Sequence, residues 1–251
     1  MAVKMDPIHQ FELKPLISFG HIGHQEIAFT QSALYMFAAV GVIALLTIAA
    51  TSRRSLVPGR MQTMAETFYE FIASTVHQSA GHGSERFVPL VFSLFMFVLV
   101  CNLFGMIPYT FTVTSHIIVT FMLALVVILT VVIYGFMAHG THFLGLFVPP
   151  GVPGWLKPLI VVIEVVSFIS RPISLSVRLF ANMLAGHIAL KIFAGFVPAL
   201  LAAGVWGILS PLPLALSVAV TALEMLVAVL QAYVFATLTS IYLSDALHPG
   251  H

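Results

Sequence analysis

SFISRPISLSVRLFANMLAGHIALKIF, residues 167–193, places a guanidinium, Arg178, inside a stretch apolar enough to lie in a membrane. Arginine keeps its proton wherever it is buried. At the centre of a spanning helix it costs roughly 2.5–3.5 kcal/mol on insertion scales, so a charge kept there marks a functional site. The bland alternative is an arginine that snorkels or is structurally paired. The stretch belongs to an apolar run from about 158 to 197, between Pro158 and Pro198. A bilayer core of ~30 Å needs only ~20 helical residues. This run has nearly twice that, and so does a second at about 205–243. Two long, strongly tilted helices packed as a hairpin follow, with Pro172 as a possible kink in the first. Splitting each run into two shorter spans is the competing reading.

Outward from that hairpin, the whole chain reads as membrane. It has 251 residues, 60% hydrophobic and 8% charged, with mean hydropathy +1.07. Between Arg86 and Lys157 there is no Asp, Glu, Lys or Arg. Such a composition excludes a soluble domain, and the net charge of +1 suggests no nucleic-acid partner. The lone Cys101 rules out an intrachain disulfide. Further apolar segments at about 27–51, 87–108 and 115–138 complete an all-α polytopic fold with about five transmembrane helices. The expected organisation is a single membrane domain with an external tail over 1–26. That tail carries Asp6, Glu12 and Glu26 and lacks an apolar signal core, so a retained first span is expected to direct insertion.

Arg53, Arg54, Arg60 and Arg86 all fall between the first two spans, which puts that connection in the cytoplasm. The N-terminus is then outside and the C-terminus inside. Residues 60–83 are too polar to span. Met64, Phe68, Phe71 and Ile72 recur there at helical spacing, which predicts one interfacial amphipathic helix. The loop at 139–157, with Pro149, Pro150 and Pro153, is rich in turn signals.

At about 100° per residue, Glu164, Ser167, Arg171, Ser174, Arg178 and Asn182 share a band about 80° wide. Ala185 and Ala189 continue it, and small residues beside a charge admit another helix closely. His187 and Lys191 point to the opposite face. Ser210, Ser217, Thr221, Glu224 and Gln231 form a second polar stripe on the last helix. A hairpin brings His187 near Glu224, making a titratable pair at membrane depth, and such pairs serve proton relays. For each residue alone, a satisfied hydrogen-bonding group is the alternative.

PISLSVRLFANMLAGH (172–187) and EMLVAVLQAYVFATLTSIYL (224–243) resemble the subunit a family of the F-type ATP synthase membrane sector. PIHQFELKP, QTMAETFYEFI and NLFGMIPY resemble the same family, so the likeness covers nearly the whole chain. The pairing of His187 with Glu224 is the exchanged arrangement of the mitochondrial and alphaproteobacterial type. The resemblance implies a proton-conducting stator subunit with two offset half-channels. Arg178 would face the carboxylate of a rotating c-subunit ring, release its proton and block leakage. His187, Glu224, Asn182, Gln231 and Glu164 would line the aqueous paths, with Ser167, Arg171 and Ser174 near the exit. Implied partners are the c-subunit ring, peripheral-stalk b subunits, the rest of the ATP synthase and the lipid bilayer. No cofactor and no metal are expected, and the chain is not an enzyme by itself. It lacks GxxxxGK[ST], so nucleotide chemistry belongs to other subunits. The expected location is a bacterial inner membrane, and an organelle-encoded chain would look alike.

Two rival classes remain at this level. A cytochrome b-type haem protein would use paired histidines, but His116, His139 and His142 lie near opposite ends of their spans. A stand-alone proton-coupled transporter predicts inverted repeats and broken helices, which are not apparent. His21 and His24 supply two ligands without a third, which favours a solvated tail over a metal site.

Overall fold

A computed structural model describes residues 15–22, 25–52, 59–81, 83–107, 110–148 and 153–247. Within them the element order is β1 (Pro15–Ile22), β2 (Gln25–Thr30), α1 (Gln31–Thr51), α2 (Arg60–Ala80), α3 (Val88–Met106), α4 (Ile117–His139), α5 (Lys157–Ala202) and α6 (Pro211–Leu247). Short 3-10 turns precede α3, α4 and α6 and follow α4. The five helices α1 and α3–α6 are each long and apolar enough to cross a membrane. The chain is thus an all-α polytopic bundle, with a sixth, more polar helix, α2.

The first span begins later than the hydropathy suggests. Residues 27–30 are not helical but belong to β2, the second strand of an antiparallel hairpin, with Ser18 opposite Ala28 and Ile22 opposite Gln25. Apolarity alone does not separate a strand from a helix over so short a run. Thr30 settles the boundary: its extended backbone and side chain cap the helix, Oγ1 accepting from the Ala33 N–H at 3.4 Å. Arg53, Arg54 and His24 lie outside the described residues.

α3 is the most enclosed span. Val91, Phe95 and Val98 are buried in a core to which α2, α4, α5 and α6 also contribute, and α3 itself packs on α6, α1 and α2. α2 seats Ile72 and Val76 on this core, and Phe71 lies 5.3 Å from Tyr233 of α6. Met64 and Phe71 remain exposed. One flank of α2 therefore packs on protein and the next faces outward, as an interfacial helix requires. Phe37, Leu45 and Ile48 of α1, and Val162, Val166 and Ile169 of α5, are likewise exposed apolar groups on spanning helices. In lipid such surface carries no penalty.

α5 contains 46 residues and α6 contains 37. At 1.5 Å per residue α5 is about 69 Å long, more than twice the ~30 Å hydrocarbon thickness. It runs unbroken through Pro172 and Pro198, beyond the expected end at 197. A proline inside a spanning helix is tolerated where surrounding groups satisfy the carbonyl it frees. The last apolar run begins as a 3-10 turn, Gly204–Leu209, and its α-helix extends to Leu247. Gly204 sits at φ 68°, the left-handed region that lets the chain reverse between the two helices.

Candidate functional site

Three contacts bind α5 to α6, and they fix an antiparallel hairpin because numbers rise on one helix as they fall on the other. Arg171 pairs with Asp245, Asn182 Nδ2 donates to Gln231 Oε1 at 3.0 Å, and His187 Nδ1 lies 3.9 Å from Glu224 Oε1. Interhelical hydrogen bonds in membranes average only ~0.6 kcal/mol. Stability alone is a weak reason to place so many charged and amide groups along one seam.

At one end of the seam, Arg171 is held from several sides. Besides Asp245 it has Glu164 Oε1 at 3.8 Å, and its guanidinium lies 5.5 Å from the Phe168 ring and 5.3 Å from Tyr242. At the other end His187, Glu224 and Gln231 are buried. Neither carboxylate oxygen of Glu224 has a hydrogen-bond partner within the described protein. The acid therefore faces the imidazole without a fixed donor. Gly186 makes room for it, because a Cβ there would fall 2.8 Å from Glu224 Cγ and Cδ.

Between the two ends the expected band divides. Arg171 and Asn182 reach α6, Asn182 while still exposed on its other side, whereas Ser167, Ser174, Arg178 and Ala185 are exposed along α5. Arg178 makes no ion pair among the described residues and stands near the middle of the 46-residue helix. On α6, Ser217 and Thr221 donate to the carbonyls of Pro213 and Ser217, both at 2.8 Å, so their hydroxyls are locally satisfied. Ser210 lies in the turn before α6.

Four participants escaped the sequence reading. Asp245 closes the Arg171 cluster; as the acid nearest the end of the last stripe, its spacing to Arg171 across a hairpin was the available signal. Thr112 Oγ1 lies 3.0 Å from His187 Nε2. Thr114 Oγ1 donates to Asn102 Oδ1 at 2.8 Å, and Asn102 Nδ2 donates to the Ala228 carbonyl at 3.2 Å. None of these three is charged or periodic, so composition gave no signal. His116 instead stacks on Phe111, centroids 4.9 Å apart, and burial lowers its pKa. His139 ends α4 and His142 lies in the following turn.

A bundle of five apolar spans crossed by one polar, charged seam defines a polytopic membrane protein with a buried ionisable pair. Residues 33–244 match the family described as ATP synthase A chain. Over 251 residues the chain is 92% identical to ATP synthase subunit a of Methylobacterium sp. strain 4-46, covering 100% of each. It is 61% identical over 252 residues to the subunit a of Bradyrhizobium diazoefficiens, covering 99% of this chain and 100% of that one. With the Xanthobacter autotrophicus subunit a it shares 62% over 248 residues, 98% and 99% of the two chains. The chain belongs to the ATP synthase A chain family. It is a multi-span component of the proton-translocating membrane sector of a bacterial F-type ATP synthase, within a complex whose catalysis lies in other subunits.

Proposed function

We propose that this chain is the stator that hands protons to and from a rotor ring of c subunits through two offset half-channels. The observation that carries the reading is Arg178: a permanent cation at mid-helix, exposed, with no acidic partner among the described residues. A charge at membrane depth needs a counter-charge, and a carboxylate on a neighbouring subunit supplies it. Arg178 then favours the anionic form of that carboxylate, which drives proton release. As a fixed cation it also repels a proton hopping directly between the half-channels.

On this reading protons arrive from the outer side past His187 and Glu224, with Asn182 and Gln231 beside the path. They leave toward the cytoplasm near Glu164, Ser167, Arg171 and Ser174. The N-terminus is outside and the C-terminus cytoplasmic, in the inner membrane, and the peripheral-stalk b subunits hold the chain against the turning ring. Each charge that crosses releases about 2.3 kcal/mol per 100 mV, so a leak between the channels would dissipate the drive. The test is to place a cysteine at Asn182 in the intact complex, crosslink it and identify the partner. A small carboxylate-bearing ring subunit is expected. A crosslink only to lipid or to another part of this chain would overturn the reading.

A further inference from the structure

Phe111, Thr112, Val113, Thr114 and Ser115 are all buried, though they lie in the connection between α3 and α4 rather than in a span. The connection is tied inward. The Thr112 carbonyl accepts from the Ser115 N–H at 3.3 Å and from its hydroxyl at 2.7 Å. Thr114 is bound to Asn102 of α3, which is bound in turn to the α6 backbone. These bonds leave the Thr112 hydroxyl to meet His187 Nε2 at 3.0 Å. Its rotamer is seated on Gly105, where a Cβ would lie 2.7 Å from Thr112 Cγ2 and 2.9 Å from Oγ1. A β-branched side chain is stiff at χ1, so this packing fixes where the hydroxyl stands.

We propose that Thr112 is a positioning residue for His187, holding Nε2 in both the neutral and the protonated imidazole so that Nδ1 stays aimed at Glu224. The reasoning is one of donors and acceptors. When Nδ1 carries the only ring proton, directed at Glu224, Nε2 needs a donor. When the ring is an imidazolium, Nε2–H needs an acceptor. A backbone carbonyl serves only the second state and an amide N–H only the first; a hydroxyl rotates and serves both. With a partner that cannot switch, one of the two states would leave a buried nitrogen unpaired, and cycling between them would slow. The inference rests on the proton-handling role proposed above for His187 and Glu224.

The experiment uses the whole ATP synthase in inverted membrane vesicles and reads ATP-driven proton pumping and proton-driven ATP synthesis. Thr112→Val keeps the shape and removes the hydroxyl; Thr112→Ser keeps the hydroxyl and removes the methyl. Thr112→Val is expected to assemble and to slow both rates roughly five- to tenfold, while Thr112→Ser retains at least about half of the normal rate. In a His187→Gln background, adding Thr112→Val should cost nothing further. Wild-type rates in Thr112→Val, failure of that variant to assemble, a Ser variant as slow as the Val variant, or a full extra loss beside His187→Gln would each overturn the proposal. Wild-type rates in both His187→Gln and Glu224→Gln would instead overturn the proton-handling reading beneath it.

Discussion

Gly186 of α5 and the Glu224 carboxylate of α6 share one volume, so the acid occupies the space where any other residue at 186 would carry its Cβ. Overpacking of this kind costs typically ~1–3 kcal/mol where the neighbour can shift, and here the shift moves Glu224 away from His187. Gly186→Ala is therefore expected to assemble but to lose about tenfold in proton-driven ATP synthesis. Adding Glu224→Asp, one methylene shorter, should recover part of the loss. Unchanged synthesis in Gly186→Ala vesicles would refute this packing.

Arg178 is the second test. Arg178→Ala is expected to leave the complex assembled and abolish proton-driven synthesis. Arg178→Lys should also fail or nearly fail, since a desolvated ammonium can give up its proton where a guanidinium does not. Normal synthesis in Arg178→Ala membranes removes the assignment.

His187 and Glu224, at 3.9 Å, are expected to titrate as one unit. His187→Glu alone puts two carboxylates together, and Glu224→His alone puts two imidazoles together. Each should slow proton pumping. The double exchange keeps one acid and one imidazole, and should be faster than either single variant. Pumping rates for the four forms make a double-mutant cycle, and strict additivity in it would show that the two do not act together.

Asp245 supplies the prediction for the other end of the seam. Arg171 is only 20% exposed, so Asp245→Asn leaves a mostly buried guanidinium with Glu164 at 3.8 Å as its acid. Loss of a partner to a charge of this kind costs about 1–3 kcal/mol. The variant should release the chain from the detergent-solubilised complex at a lower temperature than the wild type, as followed by native gel. An equal temperature for both would mean that the pair contributes nothing to holding α5 on α6.

Ala185→Leu or Ala189→Leu should impair pumping more than Leu46→Phe on α1, whose site is an exposed apolar position. The first two add bulk along α5 beyond Arg178, at exposed Ala185 and half-buried Ala189, where close approach of a partner depends on small side chains. Near-wild-type pumping in all three would show that this face meets no other subunit.

What could be read from residues alone divides along physical lines. Arg178 announced itself because a charge in hydrocarbon is costly, and the His187–Glu224 meeting followed from two long runs that had to pair. Thr112, Asn102 and Thr114 were silent because uncharged hydroxyls and amides in a connection have neither periodicity nor hydropathy contrast. The strand at 27–30 was absorbed into the first apolar run for the same reason, and only the Thr30 cap marks where helix begins. Pro198 looked like an end because proline usually is one in water. A long membrane helix held against a neighbour carries it within its last turns instead.

The seating of Ile72 and Val76 against the core, with Phe71 beside Tyr233, has a mechanical meaning. A sideways load on the exposed flank of α5 passes through the polar seam into α6. On the side of α6 reached by Tyr233, α2 stands braced against it from the membrane surface. The helix too polar to cross the bilayer is then its buttress, and the stiffness of the long hairpin depends on a segment outside the spans themselves.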